Sequence, residues 1–461
     1  MDLQKELKKL GLRYIHDDLA ADEAAARFSA RRQALYSTVN HPIILKGVPD
    51  IPGTENPFHY AYHPVFQDPN ILYLSGLNQA NIAMIINGEE TVLFLPTQDE
   101  KMVFWEGHYF STGRPELDTI ARALLGVDRI EKISDFDACC RQLIREYPRI
   151  GIIWDLASKK KSLDRFSKSY YAQFKNRLAQ WAGEENVSTE WINIAQPLYE
   201  QRLCLDSTDI QMAKKAQGQI QTALVQTFED IPTMSSETEV AGSVMGRLLS
   251  QSPYGLSFSP IVAVDENASI LHYTNNQAKF PKNGLLLIDS GGRWQSMCSD
   301  ISRTVPVNGQ FTPMQACLYQ CVLDTQRHVE SELRPGRSIA QLNTLAWDFL
   351  NKALDQRFIQ KGGKVSLSYE TQPHFIGHAL GISVHDGDAY GRYRDWPLKE
   401  GMYITNEPGL YGDFEWDIDG VHEKQSIGIR IEDNLLVTKN GCENLSRNIP
   451  KTIEDIQSIM S

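Results

Sequence analysis

Asp289 closes an apolar run, Leu285 to Ile288, that reads as a buried strand. An acid at the end of such a strand is costly unless its charge is neutralised. Gly291-Gly292 and the polar Arg293 to Ser296 read as a turn region, and a second acid, Asp300, follows. A hairpin centred between Trp294 and Gln295 places Asp289 opposite Asp300, and directly opposite residues share a face. Two carboxylates so placed repel unless a cation lies between them. On these residues alone, a polar loop tip with two unrelated acids is an equal reading.

Three further stretches carry chemistry. PHFIGHALGISVHD, from Pro373 to Asp386, holds His374, His378 and His385. Asn406-Glu407-Pro408-Gly409 puts an acid before a proline, and Ile427 to Asp433 reads IGIRIED. In a strand, residues two apart face the same way. Ile427, Ile429 and Ile431 then face a core, and Arg430 and Glu432 share the other side. Any one of these polar residues alone reads as structural. Two acids, a histidine and two more acids, each beside a strand-like apolar run, point to metal chemistry. The His374-x-x-x-His378 spacing does not make a zincin, because Phe375 stands where H-E-x-x-H needs its glutamate. No G-x-S-x-G nucleophile elbow occurs.

The order and context of these residues resemble the pita-bread (M24) metallopeptidases, the family of methionine aminopeptidase, aminopeptidase P and proline dipeptidase. The resemblance covers the chain from about Thr208 onward. It implies five metal ligands: Asp289, Asp300 in SDISRTVPVNGQF, His378 in GHALG, Glu407 in NEPGLY and Glu432 in GIRIED. It also implies that Asp300 and Glu432 bridge two ions, with Asp289 on one and His378 and Glu407 on the other. Four carboxylates balance two dications. An oxygen-rich set with one imidazole suits Mn²⁺ and admits Fe²⁺, Co²⁺ or Zn²⁺. A metal-bridging hydroxide would be the nucleophile. His385 and His374 resemble the family's substrate histidines. His272, in ILHYTNN, resembles the one beside the leaving group. Arg430 could orient carboxylates, and Glu407 is the candidate proton carrier.

The sequence departs from the family pattern at three places. Met297 stands where relatives usually carry tyrosine, and Leu205 where they usually carry lysine. Asp265-Glu266-Asn267 replaces the commoner G-E-N turn. The first departure is expected to alter the substrate pocket locally and to spare the metal site.

The elements that must position these residues fall into two domains. Residues 1–195 read as an α/β domain and residues 196–461 as an α+β pita-bread catalytic domain. In the first, Ala20 to Ala34 is a charged helical stretch. Ile82 to Ile86 and Thr91 to Leu95 are strands joined at Asn87-Gly88, a hairpin signal. Arg149 to Asp155 is another strand. The YLSGLN segment resembles the N-terminal domain of aminopeptidase P. His59 and His63 read as surface or interface residues rather than ligands. In the second domain, Ser207 or Thr208 is the expected cap of a long helix carrying Ala213, Ile220, Leu224 and Phe228. Helices fill Thr312 to Asp355, broken at Pro335-Gly336.

At 461 residues, 42% hydrophobic and 23% charged, the composition is that of an ordinary globular protein. A net charge of −12 argues against a broad nucleic-acid surface. No apolar run reaches the length of a membrane span. Seven cysteines without a C-x-x-C pair read as reduced thiols, which implies the cytoplasm. The expected function is a two-metal aminopeptidase P acting on peptides with proline second. Proline dipeptidase is the alternative. A ligand-free pita-bread binding module is disfavoured because all five ligands are kept. By the same resemblance the protein forms a homo-oligomer, a dimer or a tetramer.

Overall fold

The computed structural model describes residues 19–48, 67–154, 165–387, 391–418 and 420–461, with single positions at 5, 7, 12, 14, 16 and 65. His59 and His63 lie outside the described residues. The chain divides into two compact units, Met1–Arg202 and Leu203–Ser461. The division comes later than residue 195 because the chain just beyond it is tied back into the first unit. Gln201 donates to the Arg31 carbonyl at 2.9 Å, and Arg202 donates to Asn70 Oδ1 at 2.6 Å.

The first unit is built on a six-stranded mixed sheet. Its strands are β1 Ile43–Lys46, β2 Ala83–Asn87, β3 Glu90–Leu95, β4 Arg129–Lys132, β5 Arg149–Ile152 and β6 Glu190–Asn193, in the order β4-β3-β2-β1-β5-β6. The β2–β3 hairpin forms as its turn residues predict, with Asn87 opposite Glu90 and Gly88 at φ 68°. The charged helical stretch is α1, Ala21–Val39. Its Arg32 is buried, and the guanidinium donates to the Leu74 and Leu125 carbonyls at the ends of two other helices. Those carbonyls lack partners within their own helices.

The second unit begins with α2, Ser207–Asp230. Its cap is Asp206, which accepts from the Asp209 N–H, rather than Ser207 or Thr208. Ile220, Leu224 and Phe228 pack into the main core together with Ile427, Ile429 and Ile431. That core also takes α3, Glu237–Gln251, α4, Pro313–Glu332, and α5, Ile339–Arg357. Thr312 and Ser338 each close a capping box. Gly336, at φ 88°, lies in the break between α4 and α5.

Three short sheets follow. β7 Ile261–Val264 and β11 Ile301–Pro306 flank β8 Leu285–Ser290. β12 Lys364–Leu367 pairs with β14 Gly409–Ile418, which pairs with β15 Val421–Arg430. β16 Asp433–Val437 lies between β13 Tyr403–Asn406 and β17 Cys442–Asn444. A two-stranded tip, β9 Arg293–Trp294 with β10 Met297–Cys298, continues the β8–β11 hairpin.

The hairpin turns one residue later than expected, at Gln295-Ser296, with Gln295 at φ 51°. Asp289 therefore faces Ser302, not Asp300. Gly291 is not a turn residue: a Cβ there would collide with the Ser299 carbonyl, so the glycine permits the two strands to approach. Asp300 sits two residues from Ser302, diagonal to Asp289, and diagonal neighbours remain on one face.

The sheets are joined by a buried ion pair. Arg303 of β11 and Asp433 of β16 are both fully buried and meet at 2.7 Å. Arg303 also donates to the Ser302, Glu432, Ile449 and Pro450 carbonyls. Removing one partner of a buried pair costs about 3–5 kcal/mol, because the other charge stays uncompensated. Arg303→Met should therefore lower unfolding stability by about that amount in denaturant titration. A loss no larger than that of an ordinary surface substitution would refute this role.

Candidate metal centre

The five expected ligands converge within the second unit, at strand ends rather than strand centres. Asp289 is near the end of β8. Asp300 lies between β10 and β11, Glu407 just after β13, and Glu432 between β15 and β16. His378 comes from a segment that runs beside β13 through an Ala379–Ile404 bridge. At a strand end the ladder stops, so a side chain can project into a cavity while the backbone remains held.

Each position is locked by its neighbours. Asn434 accepts from the Asp300 N–H at 2.9 Å and donates to its carbonyl at 2.6 Å. Thr405 Oγ accepts from the His378 N–H at 3.0 Å and donates to Glu407 Oε1 at 3.2 Å. Ser302 Oγ donates to Glu432 Oε2 at 2.8 Å and accepts from Arg430 Nε at 2.8 Å. Arg430 Nη2 donates to Asp289 Oδ2 at 2.6 Å. At Gly377, next to the histidine, a Cβ would collide with the Thr405 carbonyl.

Asp289, Asp300, His378 and Glu432 are buried. Ligand atoms of Asp300, His378 and Glu432 all lie within 4.8 Å of one another. His378 Nε2 is 3.5 Å from Asp300 Oδ2 and 3.6 Å from Glu407 Oε1. Those separations are too long for N–H···O bonds. Two atoms each about 2.1 Å from one ion lie roughly 3–3.5 Å apart, which fits. His378 Nδ1 lies 3.0 Å from the Ala379 carbonyl. A carbonyl only accepts, so Nδ1 is the N–H of the neutral ring and Nε2 turns its lone pair towards the acids.

Asp289 Oδ1, Asp300 Oδ1 and Glu432 Oε1 are buried with no hydrogen-bond partner. Native proteins leave few such atoms without reason. Burial, then the charge of Asp289, pushes the Asp300 carboxyl well above the usual carboxylate range. Burial, then Asp300, does the same to Glu432. Glu407 rises to about 7, chiefly through burial. Unpartnered oxygens, an inward lone pair and mutually repelling carboxylates fit a cation-binding centre.

The remaining candidates surround this cluster. The rings of His378 and His385 are 4.3 Å apart, and those of His385 and His272 are 6.3 Å apart. His385 and His272 are solvent-exposed. The proximity of His378 is the chief cause that lowers the His385 pKa to about 3. His374 is lowered to about 3 by burial, then by Arg430. Both nitrogens of His374 are engaged: Nδ1 donates to the Phe375 carbonyl at 2.8 Å, and Nε2 accepts from Tyr411 at 3.0 Å. Arg430 Nη1 donates to the same Tyr411 hydroxyl at 3.1 Å. Met297 is completely buried and fills core volume.

Sequence reasoning missed this second layer: Ser302, Thr405, Tyr411, Asn434 and Glu237. Glu237 is fully buried and accepts from the Val264 and Ala278 N–H groups, Asn267 and Tyr273, so it clamps the loop that carries His272. Only Tyr411 carried a signal, lying one turn of alternation past Gly409 in NEPGLY.

Two family models match the chain: metallopeptidase family M24 over residues 211–439, and the aminopeptidase P N-terminal domain over residues 28–152. The Xaa-Pro aminopeptidase of Haemophilus influenzae is 30% identical over 417 residues, covering 87% of this chain and 89% of its own. That extent of likeness decides the family. The chain belongs to metallopeptidase family M24, in its aminopeptidase P branch. The Xaa-Pro aminopeptidase of Escherichia coli is 28% identical over 94% of this chain and 97% of its own. A solved structure of Escherichia coli aminopeptidase P with the inhibitor Pro-Leu matches with a TM-score of 0.78 at 25% identity, covering 95% of this chain and 98% of its own. Pseudomonas aeruginosa aminopeptidase PepP matches with the same TM-score. The α/β and pita-bread architecture is thus that of a metallopeptidase, and divalent metal belongs to it.

Carboxyls with raised pKa values bind protons in the folded state that the unfolded chain releases. In the metal-free protein these carboxyls therefore contribute stability that is fully present below the ordinary carboxylate range and is lost as the pH rises through neutrality. Asp300→Asn should flatten that slope, raise metal-free stability near neutral pH and reduce bound metal. Thermal unfolding of metal-stripped protein across pH checks this. An unchanged slope in the variant would count against the crowding.

Proposed function

We propose that the carboxylate cluster is a two-ion centre and that the protein is an Xaa-Pro aminopeptidase, removing the N-terminal residue from peptides with proline second. The observation that carries this reading is the set of three unpartnered buried carboxylate oxygens on Asp289, Asp300 and Glu432, the last two residues grouped with His378. Asp300 and Glu432 would bridge, Asp289 would complete one site, and His378 with Glu407 the other. The oxygen-rich set favours Mn²⁺. When bound, divalent ions supply Lewis-acid activation of water and of the scissile carbonyl.

The chain's own residues do the rest. Glu407, less buried than the other acids, takes the proton from water on its carboxylate and passes it towards the leaving nitrogen. Thr405 steadies its Oε1 while this happens. Arg430 holds Asp289, and through Ser302 it holds Glu432. A bond to proline nitrogen has no N–H to donate, so recognition rests on shape and on contacts to flanking carbonyls. His385, exposed beside His378, and His272, 6.3 Å from His385, would donate to those carbonyls. His374, with both nitrogens engaged, acts through Tyr411 as a positioning residue.

The seven free cysteines support a reducing, cytoplasmic setting. Among the described residues no helix is long and apolar enough to cross a membrane. A homo-oligomer, dimer or tetramer, belongs to the same reading on family resemblance.

Chelation should abolish hydrolysis of Ala-Pro-Ala, and Mn²⁺ should restore it. Full activity in exhaustively metal-free enzyme would defeat the metal reading. Ala-Ala-Ala should be cleaved poorly. If dipeptidyl Ala-Pro is preferred over Ala-Pro-Ala, the enzyme is a proline dipeptidase instead.

Glu407→Gln should keep substrate binding and lose about 10²–10⁴-fold in kcat. A near-normal rate would move the proton-carrier role to His272. His385→Ala should lose rate on Ala-Pro-Ala while keeping its metal. Wild-type rates in that variant would exclude His385 from substrate binding.

A further inference from the structure

A cavity of about 630 Å³ opens on the second unit, between the end of α4, the turn that follows it and the segment from Asn440 to Lys451. Arg327, Arg334, Arg447 and Lys451 line it, against one acid, Glu330. Its volume is that of a small-molecule site. A cationic lining is unexpected in a chain of net charge −12.

Two simpler explanations fall short. The cations could complement the negative C-terminal end of α4, but a helix end carries only roughly half an elementary charge, too little for four cations. They could be ordinary members of surface ion pairs. Arg334 does meet Glu332 at 3.3 Å. Lys451, a lining residue, is shared between the buried Asp433 and Gln326 beneath the cavity lining. Arg327 and Arg447 make no ion pair among the described residues. Glu330 is already engaged by Asn444 at 3.0 Å and lies 3.7 Å from Lys451. Two guanidiniums are thus left to face the cavity, each able to bind an oxyanion through two parallel N–H groups.

We propose that this cavity binds a small, multiply charged oxyanion through Arg327 and Arg447, with Lys451 in its lining. The shared chemistry is that of a phosphoryl group or a polycarboxylate. The site is separate from the carboxylate cluster and does not depend on the peptidase reading.

Thermal unfolding of the metal-loaded protein, titrated with inorganic phosphate or with citrate at ionic strength fixed by sodium chloride, tests it. A saturable rise in Tm with phosphate alone identifies a phosphoryl site. A rise with citrate alone identifies a polycarboxylate site, and a rise with both identifies a general oxyanion site. The double variant R327Q/R447Q should lose the rise while keeping wild-type peptidase activity, which also reports that it folds. If that variant does not fold, Arg334→Gln should weaken the response by lowering the cavity's positive charge. No saturable rise in the wild type, or an equal rise in the variants, would overturn the proposal.

Discussion

Mutual repulsion among buried carboxylates is the constraint on which the catalytic unit depends. Asp289, Asp300 and Glu432 are buried, and Glu407 is close to them. Without compensating charge such a group would swell or protonate. Among the described residues Arg430 is the fixed cation that pairs with one of them, Asp289. The remaining negative charge is left for ions, which is how a protein reserves a site for a hard dication.

The fold meets this constraint by placing acids where ladders end and by holding their backbones with neutral side chains. Asn434, Thr405 and Ser302 each bridge two chain segments and set Asp300, His378 and Glu432 through hydrogen bonds that add no charge. Outer partners of this kind orient ligands and tune a metal. Charge compensation is kept one layer out. Arg303 and Lys451 hold Asp433 below the usual carboxylate range against the upward pull of burial. Asp433 follows Glu432 directly, so the structural ion pair and the carboxylate cluster share one strand junction.

The same arrangement explains why chemistry is possible on an otherwise closed core. The aliphatic faces of α2, β8 and β15 make a dry base, and the acids project from its edge. Two exposed histidines mark the solvent side, beside His378. In the proposed reading a protein nucleophile is unnecessary, because bound divalent ions would supply activation of water.

Much of this was legible in residue order. The apolar run before Asp289, the alternation of Ile427, Ile429 and Ile431, and the Asn87-Gly88 hairpin are local signals set by side-chain period and turn chemistry. The acids and the histidine that meet in the second unit were legible too, because they stand in recognisable contexts along the chain. What the sequence could not determine was register and partnership. The turn at Gln295-Ser296 moved Asp289 from Asp300 to Ser302, a shift that depends on how Gly291 packs against Ser299. The cap of α2 moved to Asp206 for a similarly local reason. Asn434, Thr405, Tyr411 and Glu237 look like ordinary polar residues along the chain. They acquire roles only when segments far apart in sequence meet. Residue type and spacing therefore determined which groups could bind metal. Tertiary structure alone decided which were left unpartnered, because an unpaired buried oxygen is a property of its surroundings and not of its residue.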